Sequence, residues 1–429
     1  MTSPVAGTLS TDDGPVWLYA GTLIDGTSSA VSYAAHVVYD REQILFVGRE
    51  GKTPPRSVVR PGQDSPDAEA PLHTLLPGLV DAHTHLYLEG GELDEEKRKQ
   101  HRQRSPTELL ADALQRLDML AQLGIAGVRD AGDRDGVGLA LSRGSRTLHG
   151  SESRPHVDSP GAALHRAGRY GSFMGFPVEN CASLEACVGE RIAAGADRIK
   201  IIASGIVDFE RALVPGVPQF SAADISQIVR AAKALGRQTF AHASGKEGIA
   251  SAIDGGVDSV EHGYFVTDDQ LAQMRDAEIA WVPTFAPLQA QLDHASSIGW
   301  SDAVTANLRA ILEQHAESVR RARVLGVTIA AGSDAGSPGV PHGVGLLSEL
   351  ESLERAGMSL VEVINAATGV SSDRFAYSAR FGKIETGYRS RFILSDHQPL
   401  ESVANLRKPR LVVFDGRVYE TSEASVRGL

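Results

Sequence analysis

Six side chains in this chain are of types that bind metal or move protons, and each is read at the end of a short apolar strand. They are His83 and His85 in "LPGLVDAHTH", Lys200 in "ADRIKIIASG", His242 in "TFAHASG", His262 in "SVEHGY", and Asp334 in "VTIAAGSD". On an extended chain His83 and His85 point to one face, so both rings can approach a single ion, and imidazole nitrogen is a preferred zinc ligand. The alternative for such a pair is two rings hydrogen-bonded at a surface. A lysine inside an apolar strand tends to lose its charge, and the neutral amine can add carbon dioxide to become a carbamate, an oxygen ligand able to bridge two metals. An ordinary lysine paired with a carboxylate competes with that reading. His242 and His262 each precede a glycine turn, where a lone histidine is more often a satisfied core residue. Two on consecutive strands, facing a histidine pair, point to a site. Asp334 follows a fully apolar strand and needs a partner there; a metal or its water would serve, and so would a role as a helix N-cap.

Such residues need a frame. Between about residues 73 and 378, short apolar segments alternate with amphipathic ones such as "SPTELLADALQRLDMLAQLG", "SLEACVGERIAAGA" and "SAADISQIVRAAKALG", which open on Ser and end near Gly as helix caps prefer. Eight segments are candidate strands: "LLPGLVDAH", "GIAGVRDAG", "HVDSPGAAL", "ADRIKIIAS", "RQTFAHA", "VDSVEHG", "IAWVPTF" and "GVTIAAGSD". Strand and helix in alternation predict an α/β fold, a (β/α)8 TIM-like barrel, with reactive residues gathered where strands end. An open doubly wound sheet is the competing architecture, but no glycine-rich phosphate loop follows a strand. Both chain ends have a different texture of strands and turns, "WLYAGTLI" and "HVVYDREQILFVG" early, "FGKIETGYRSRFILSD" and "PRLVVFDGRVYE" late. Residues 1–72 and 379–429 are expected to meet as one small β-sandwich domain flanking a barrel of residues 73–378.

Bulk composition bounds the function. A chain of 429 residues with 42% hydrophobic content can bury a large core. Its 42 Lys and Arg against 54 Asp and Glu give a net charge of -12, without a long basic run, which disfavours nucleic acid and anionic membrane as partners. The N-terminus does not read as a secretory signal and no window is long and apolar enough to span a bilayer, so a cytoplasmic location and a small-molecule substrate are expected. Cys181 and Cys187, in "CASLEAC", are read as small helical residues kept reduced in that compartment. Oligomeric state is not legible; a homo-oligomer stays open.

Taken together, "LPGLVDAHTH", "GIAGVRDAG", "GADRIKI", "FAHASG", "SVEHG" and "GSDAGSP", in that order, resemble the strand motifs of the amidohydrolase superfamily. A lysine at the fourth strand resembles its binuclear branch. The stretches "PQFSAADISQIVRAAKALGRQTFAHASG" and "SDAGSPGVPHG" look most like the imidazolonepropionase-related group that includes Xaa-Pro dipeptidases and N-acyl amino acid hydrolases. The resemblance implies a (β/α) barrel with a β-sandwich made from both chain ends. It also implies two zinc ions per chain, one held by His83, His85 and Asp334, the other by His242 and His262, with Lys200 carboxylated by CO2 between them. A hydroxide bridging the metals would attack an amide-type carbonyl, in a dipeptide, an N-acyl amino acid or a cyclic amide. Asp334 would shuttle the proton to the leaving nitrogen. Tyr264 is placed as a donor to the developing oxyanion, and Tyr170, Arg169 and His342 as substrate contacts; packing is the alternative for the two tyrosines and Arg169, and a place on a surface loop for His342. Arg211 is a second candidate for gripping a carboxylate.

Two departures mark the substrate side. Ser244 stands where the group typically has the second histidine of "HAHG", and "GRYG" replaces a "GGHG" turn, putting Arg169 and Tyr170 in place of a histidine. Glu89 and the run "ELDEEKRKQHRQR" are expected as a solvated, charged loop or helix start over the barrel mouth, with a lid as the alternative. Two other readings compete: a deaminase, or another hydrolase of a heteroaromatic ring, with one metal and Lys200 as plain structure; and a non-catalytic, metal-stabilised binding protein.

Overall fold

A computed structural model describes residues 5–27, 30–147, 154–375, 380–395, 401–408 and 410–421. The frame of the site is parallel sheet. Leu79–Thr84, Ile125–Asp130 and His156–Asp158 pair in parallel as one three-stranded sheet. Gly175–Pro177, Ala163–His165, Ile199–Ile202, Thr239–Ala243, Ser259–His262 and Ala280–Val282 form a second sheet of six parallel strands in that order. All of these strands but Gly175–Pro177 are short and buried throughout, which is why the sequence shows apolar runs here and not the alternation of a sheet with one wet face.

The connecting helices begin where the caps place them. Ser105 and Glu108 form a reciprocal capping box ahead of Pro106–Gln122, Ser183 caps Leu184–Ala193, and Ser221 with Asp224 does the same for Ala222–Ala234. Their apolar faces, through residues such as Leu109, Leu117, Val188, Ile225 and Ile228, join one large core with the strands they cover.

Three of the eight expected segments differ in detail. "LLPGLVDAH" is two strands, because Ala68–Pro77 belongs to a sheet built from the chain ends and Leu79–Thr84 to the parallel frame. Gly78 divides them; a Cβ there would meet the Ala126 side chain at 2.8 Å. "HVDSPGAAL" also splits, His156–Asp158 pairing with Ile125–Asp130 and Ala163–His165 with Ile199–Ile202. "GVTIAAGSD" makes a bridge at Ile329, with another at Ala335 just after it, without becoming a strand.

Strands from both chain ends share one sheet. Arg417–Glu420, Arg410–Phe414, Arg391–Ser395, Ala68–Pro77, Val16–Leu23, Ser32–Tyr39 and Ile44–Gly48 lie side by side, with Ala6–Gly7 added beside Ala68–Pro77. Val16–Leu23 runs parallel to Ala68–Pro77 and the other pairs are antiparallel. Leu18, Val37, Leu75, Phe392 and Val413 fill a separate core in this sheet. Arg391 ties it to the parallel frame, donating to Asp415 at 2.6 Å and to the Ala126 carbonyl at 2.8 Å.

No helix among the described residues is long and apolar enough to cross a membrane. The expectation of two reduced cysteines fails. Cys181 and Cys187 form a disulfide, their Cα atoms 5.5 Å apart. The Ser183 cap between them folds Leu184–Ala193 back so that Cys187, three residues into that helix, returns to Cys181. A disulfide persists mainly in oxidising surroundings, so the cysteines no longer support a reducing compartment.

Candidate metal centre

His83, His85, Lys200, His242, His262 and Asp334 all line one cavity of about 660 Å³. The parallel strands place them there. His83 and His242 are the penultimate residues of Leu79–Thr84 and Thr239–Ala243, and His262 is the last of Ser259–His262. Lys200 is not at a strand end as the sequence suggested. It is the second residue of Ile199–Ile202 and sits deeper, 2% exposed, its Nζ 4.6 Å from the centre of the Phe240 ring.

The tightest group is His83, His85 and Asp334, whose donor atoms lie within 4.8 Å of one another. Asp334 Oδ1 stands 3.7 Å from His83 Nε2 and 3.5 Å from His85 Nε2. His242 and His262 complete a ring of imidazoles, with centroids 4.5 Å apart, and His262 lies 5.0 Å from His83.

One nitrogen of each imidazole is held from behind. His83 Nδ1 meets Glu261 Oε2 at 2.5 Å, His85 Nδ1 the Gly132 carbonyl at 3.2 Å, and His262 Nδ1 the Thr284 hydroxyl at 2.7 Å. On His242 it is Nε2 that meets the Gly205 carbonyl, at 3.1 Å. This fixes ring orientation and leaves the other nitrogen of each ring for a ligand. Burial, reinforced by the Lys200 charge, pushes His85 and His242 down to about 3 and holds His83 and His262 well below the usual range, so the rings are neutral. Burial brings the Lys200 ammonium down to about 8 against the pull of Glu261 and Asp334, and lifts Asp334 to about 7 against the pull of Lys200. Four neutral imidazoles, one amine close to neutrality and one carboxylate, converging in a buried cavity, fit divalent metal chemically.

Glu261 and Arg129 are working parts that the sequence reading passed over. Glu261 bridges His83 and Arg129, whose Nη2 donates to its two oxygens at 2.8 and 2.7 Å. Arg129 also donates to the Ala82 carbonyl, one residue before His83. The signals were present: a glutamate beside His262, and an arginine following the apolar "GIAGV". Strain is a second feature invisible to pattern. His262 and Asp334 have φ of 67° and 52°, the left-handed region that non-glycine residues seldom occupy. Gly332 lets the Asp334 segment approach, since a Cβ there would meet the His83 backbone nitrogen at 2.8 Å.

The substrate-side expectations divide. Tyr170 and Ser244 line the cavity. The Tyr170 ring lies 5.3 Å from that of His242, and burial with the Asp334 charge keeps its phenol protonated. Tyr264 also lines the cavity, but its hydroxyl donates to the Thr284 carbonyl at 2.6 Å, so its proton is already committed. Arg169 is exposed and donates to the Val217 carbonyl outside the cavity lining. His342 is buried and stands outside the cavity lining, its Nε2 3.0 Å from the His85 carbonyl. The charged run after Glu89 forms the helix Glu95–Arg102, which brings Glu95, Arg98 and Arg102 to the cavity.

Known proteins give this arrangement a context. Residues 74–419 match the model of the amidohydrolase family. Ochratoxinase of Aspergillus niger is 29% identical over 437 aligned residues, covering 94% of this chain and 86% of that protein. Imidazolonepropionase of Symbiobacterium thermophilum is 26% identical, with 88% of this chain and 89% of that protein aligned. Among solved structures, a Xaa-Pro dipeptidase with methionine bound in its active site superposes with a TM-score of 0.78 at 27% identity, over 95% of this chain and all of that one. The crystal structure of A. niger ochratoxinase gives a TM-score of 0.75 at 27% identity, over 94% and 95%. With a match running from the first histidine strand into the C-terminal sheet, and a buried histidine, lysine and aspartate cavity between them, the chain belongs to the amidohydrolase family and is a hydrolase of carbon–nitrogen bonds.

Proposed function

We propose that this chain is a binuclear zinc hydrolase that cleaves an amide-type C–N bond in a small molecule, a dipeptide, an N-acyl amino acid or a cyclic amide. The observation that carries the reading is the buried Lys200 amine standing among four imidazoles and Asp334 in one cavity. His83, His85 and Asp334 would hold one zinc, His242 and His262 the other, with Lys200, as its carbamate, between them. Bound there, the metals would supply an acidified water and polarise the carbonyl to be attacked.

The chain's own groups do the rest. Asp334 would take up the proton given up by the attacking water and deliver it to the leaving nitrogen, which cannot depart as an amide anion. Tyr170, its phenol protonated, donates to the carbonyl oxygen as charge develops there. Apolar residues including Leu88, Phe173, Phe209 and Leu288 exclude water around the bond.

The frame belongs to the same proposal: the two parallel sheets are arcs of one (β/α)8 barrel spanning residues 73–378, flanked by a β-sandwich from residues 1–72 and 379–429. Backbone bonds from Asp197 N to Ser159 O, Trp281 N to Thr328 O, and Ala82 N to Ala331 O support closure, since they link segments across both gaps between the sheets.

A one-metal reading has its own support, because the tight donor group is His83, His85 and Asp334 alone. Metal analysis separates the two. About two zinc ions per chain with carbon dioxide on Lys200 supports the binuclear enzyme, and one metal on an unmodified lysine overturns it. A screen of the zinc-loaded protein against dipeptides, N-acyl amino acids and cyclic amides then tests the reaction. Asp334→Asn must abolish whatever turnover is found.

A further inference from the structure

The cavity has a charged rim on one side that the metal centre does not use. It comes from the helix Glu95–Arg102, capped by Asp94, whose residues Glu95, Arg98 and Arg102 line the cavity together with its apolar wall. Arg98 is fixed. One guanidinium nitrogen reaches the Glu89 and Glu92 carbonyls, and Nη2 donates to the Gly336 carbonyl at 2.7 Å, so the side chain straps this helix to the loop that carries Asp334. Its Nε is buried without a hydrogen-bond partner, and the facing anion, Glu95 Oε2, stands 3.8 Å away, beyond hydrogen-bond reach. Arg102, four residues on, holds the other oxygen of the same carboxylate, Nη2 to Glu95 Oε1 at 2.5 Å. Glu95 therefore lies between the two guanidinium groups, while its own side chain is 70% exposed against 5% for Arg98 and 26% for Arg102.

An exposed carboxylate is held loosely and at little energetic cost to remove. A fixed, mostly buried guanidinium with an unmet donor is suited to a carboxylate oxygen supplied from the cavity side. We infer that Arg98 and Arg102 form the subsite for the free carboxylate of the substrate, and that Glu95 occupies this subsite when the cavity is empty. This rests on the amide-hydrolase reading and narrows it. The substrate is an amide whose leaving amine carries a carboxylate, and whose acyl side is apolar enough for a wall that includes Phe173, Ile206, Phe209 and Leu288. The charge arithmetic agrees. Two cations and one anion leave the rim one positive charge in excess, and a substrate carboxylate that displaces Glu95 takes the ideal place between the guanidinium groups while Glu95 swings to solvent.

The test compares N-benzoyl-L-alanine with its C-terminal carboxamide on the zinc-loaded wild type, Arg102→Gln and Glu95→Gln. The preference for acid over amide, read as a ratio of kcat/KM, should fall about tenfold in Arg102→Gln and rise severalfold in Glu95→Gln. If the wild type hydrolyses neither compound, the proposed reaction is in trouble but the subsite is still readable, because calorimetric binding of the same unhydrolysed pair gives the same ratio. A preference that moves less than twofold in both variants, or binding of neither compound, overturns the subsite.

Discussion

At the residue scale, the site depends on a carboxylate that is not itself a metal-ligand candidate. Glu261 accepts from His83 Nδ1 and from Arg129, and all three are buried. Glu261→Gln would leave the Arg129 guanidinium buried and unpaired, costing about 3 kcal/mol of stability, and would loosen the His83 ring. Zinc affinity, measured by competition with a chelator, is expected to fall by about 10- to 100-fold; an unchanged affinity would show that the His83 ring is held by packing alone. Lys200 makes a second prediction. Carbamate forms from the free amine, whose share in the metal-free protein grows as pH rises through about 8. A carbamate signal from 13C-labelled bicarbonate should therefore strengthen from pH 7 to pH 9 and be absent in Lys200→Ala. Five of the six candidate ligands were legible in sequence because each is a polar residue closing an apolar run, and Lys200 because it interrupts one. Glu261 was not, since consecutive residues of a strand face opposite ways. The left-handed φ of His262 breaks that alternation, so Glu261 and His262 both turn to His83.

At the scale of elements, helices were easier to read than strands, because Ser105, Ser183 and Ser221 mark their starts chemically. Strand limits here are set by contacts across the sheet, which no local pattern carries. The segment before Asp334 reads as a strand yet forms only bridges, as its passage beside His83 needs Gly332 and a left-handed aspartate. The same limit affected the two tyrosines. Both lie near a motif, but only the structure shows that Tyr264 spends its proton on the Thr284 carbonyl while Tyr170, in the loop after Ala163–His165, faces the cavity beside His242. Tyr170→Phe is therefore expected to lower kcat by about 100-fold with a smaller change in KM, as loss of an oxyanion donor does. Tyr264→Phe should instead cost about 1 kcal/mol of stability for one lost buried hydrogen bond, with kcat within a few-fold. Steady-state kinetics and denaturant melts on the two variants decide it, and the reverse assignment would return Tyr264 to the chemistry. The disulfide is checked by mass spectrometry: Cys181 and Cys187 should resist alkylation until a reductant is added.

At the scale of the whole molecule, the sheet made from the chain ends packs on the parallel frame through residues such as Leu76, Ile393 and Val412, and a buried charge cluster fastens it there as well. Asp415, in the turn between Arg410–Phe414 and Arg417–Glu420, accepts from Arg389 at 2.6 Å and from Arg391 at 2.6 Å, and Arg391 continues to the Ala126 carbonyl in Ile125–Asp130. Burial alone would raise the Asp415 carboxyl. The two arginines outweigh it and bring the group down to about 2 from an ordinary 3.8. A carboxylate depressed by folding contributes stability that is complete above its unfolded pKa and is lost as pH falls through the folded one. The shift corresponds to about 2 kcal/mol, present at pH 5 and above and withdrawn between about pH 4 and pH 2. Asp415→Asn should remove that contribution at neutral pH and leave Arg391 buried without its anion, for a total loss of about 3 kcal/mol. Its unfolding free energy should then be flatter than the wild type's between pH 5 and pH 3. Because the contact spans the two cores, hydrogen exchange in Asp415→Asn should accelerate first in Arg391–Ser395 and Arg410–Phe414, with Thr239–Ala243 still protected. Equal acceleration in all three strands would mean that the terminal sheet and the parallel frame unfold as one unit and that Asp415 is not the fastening between them.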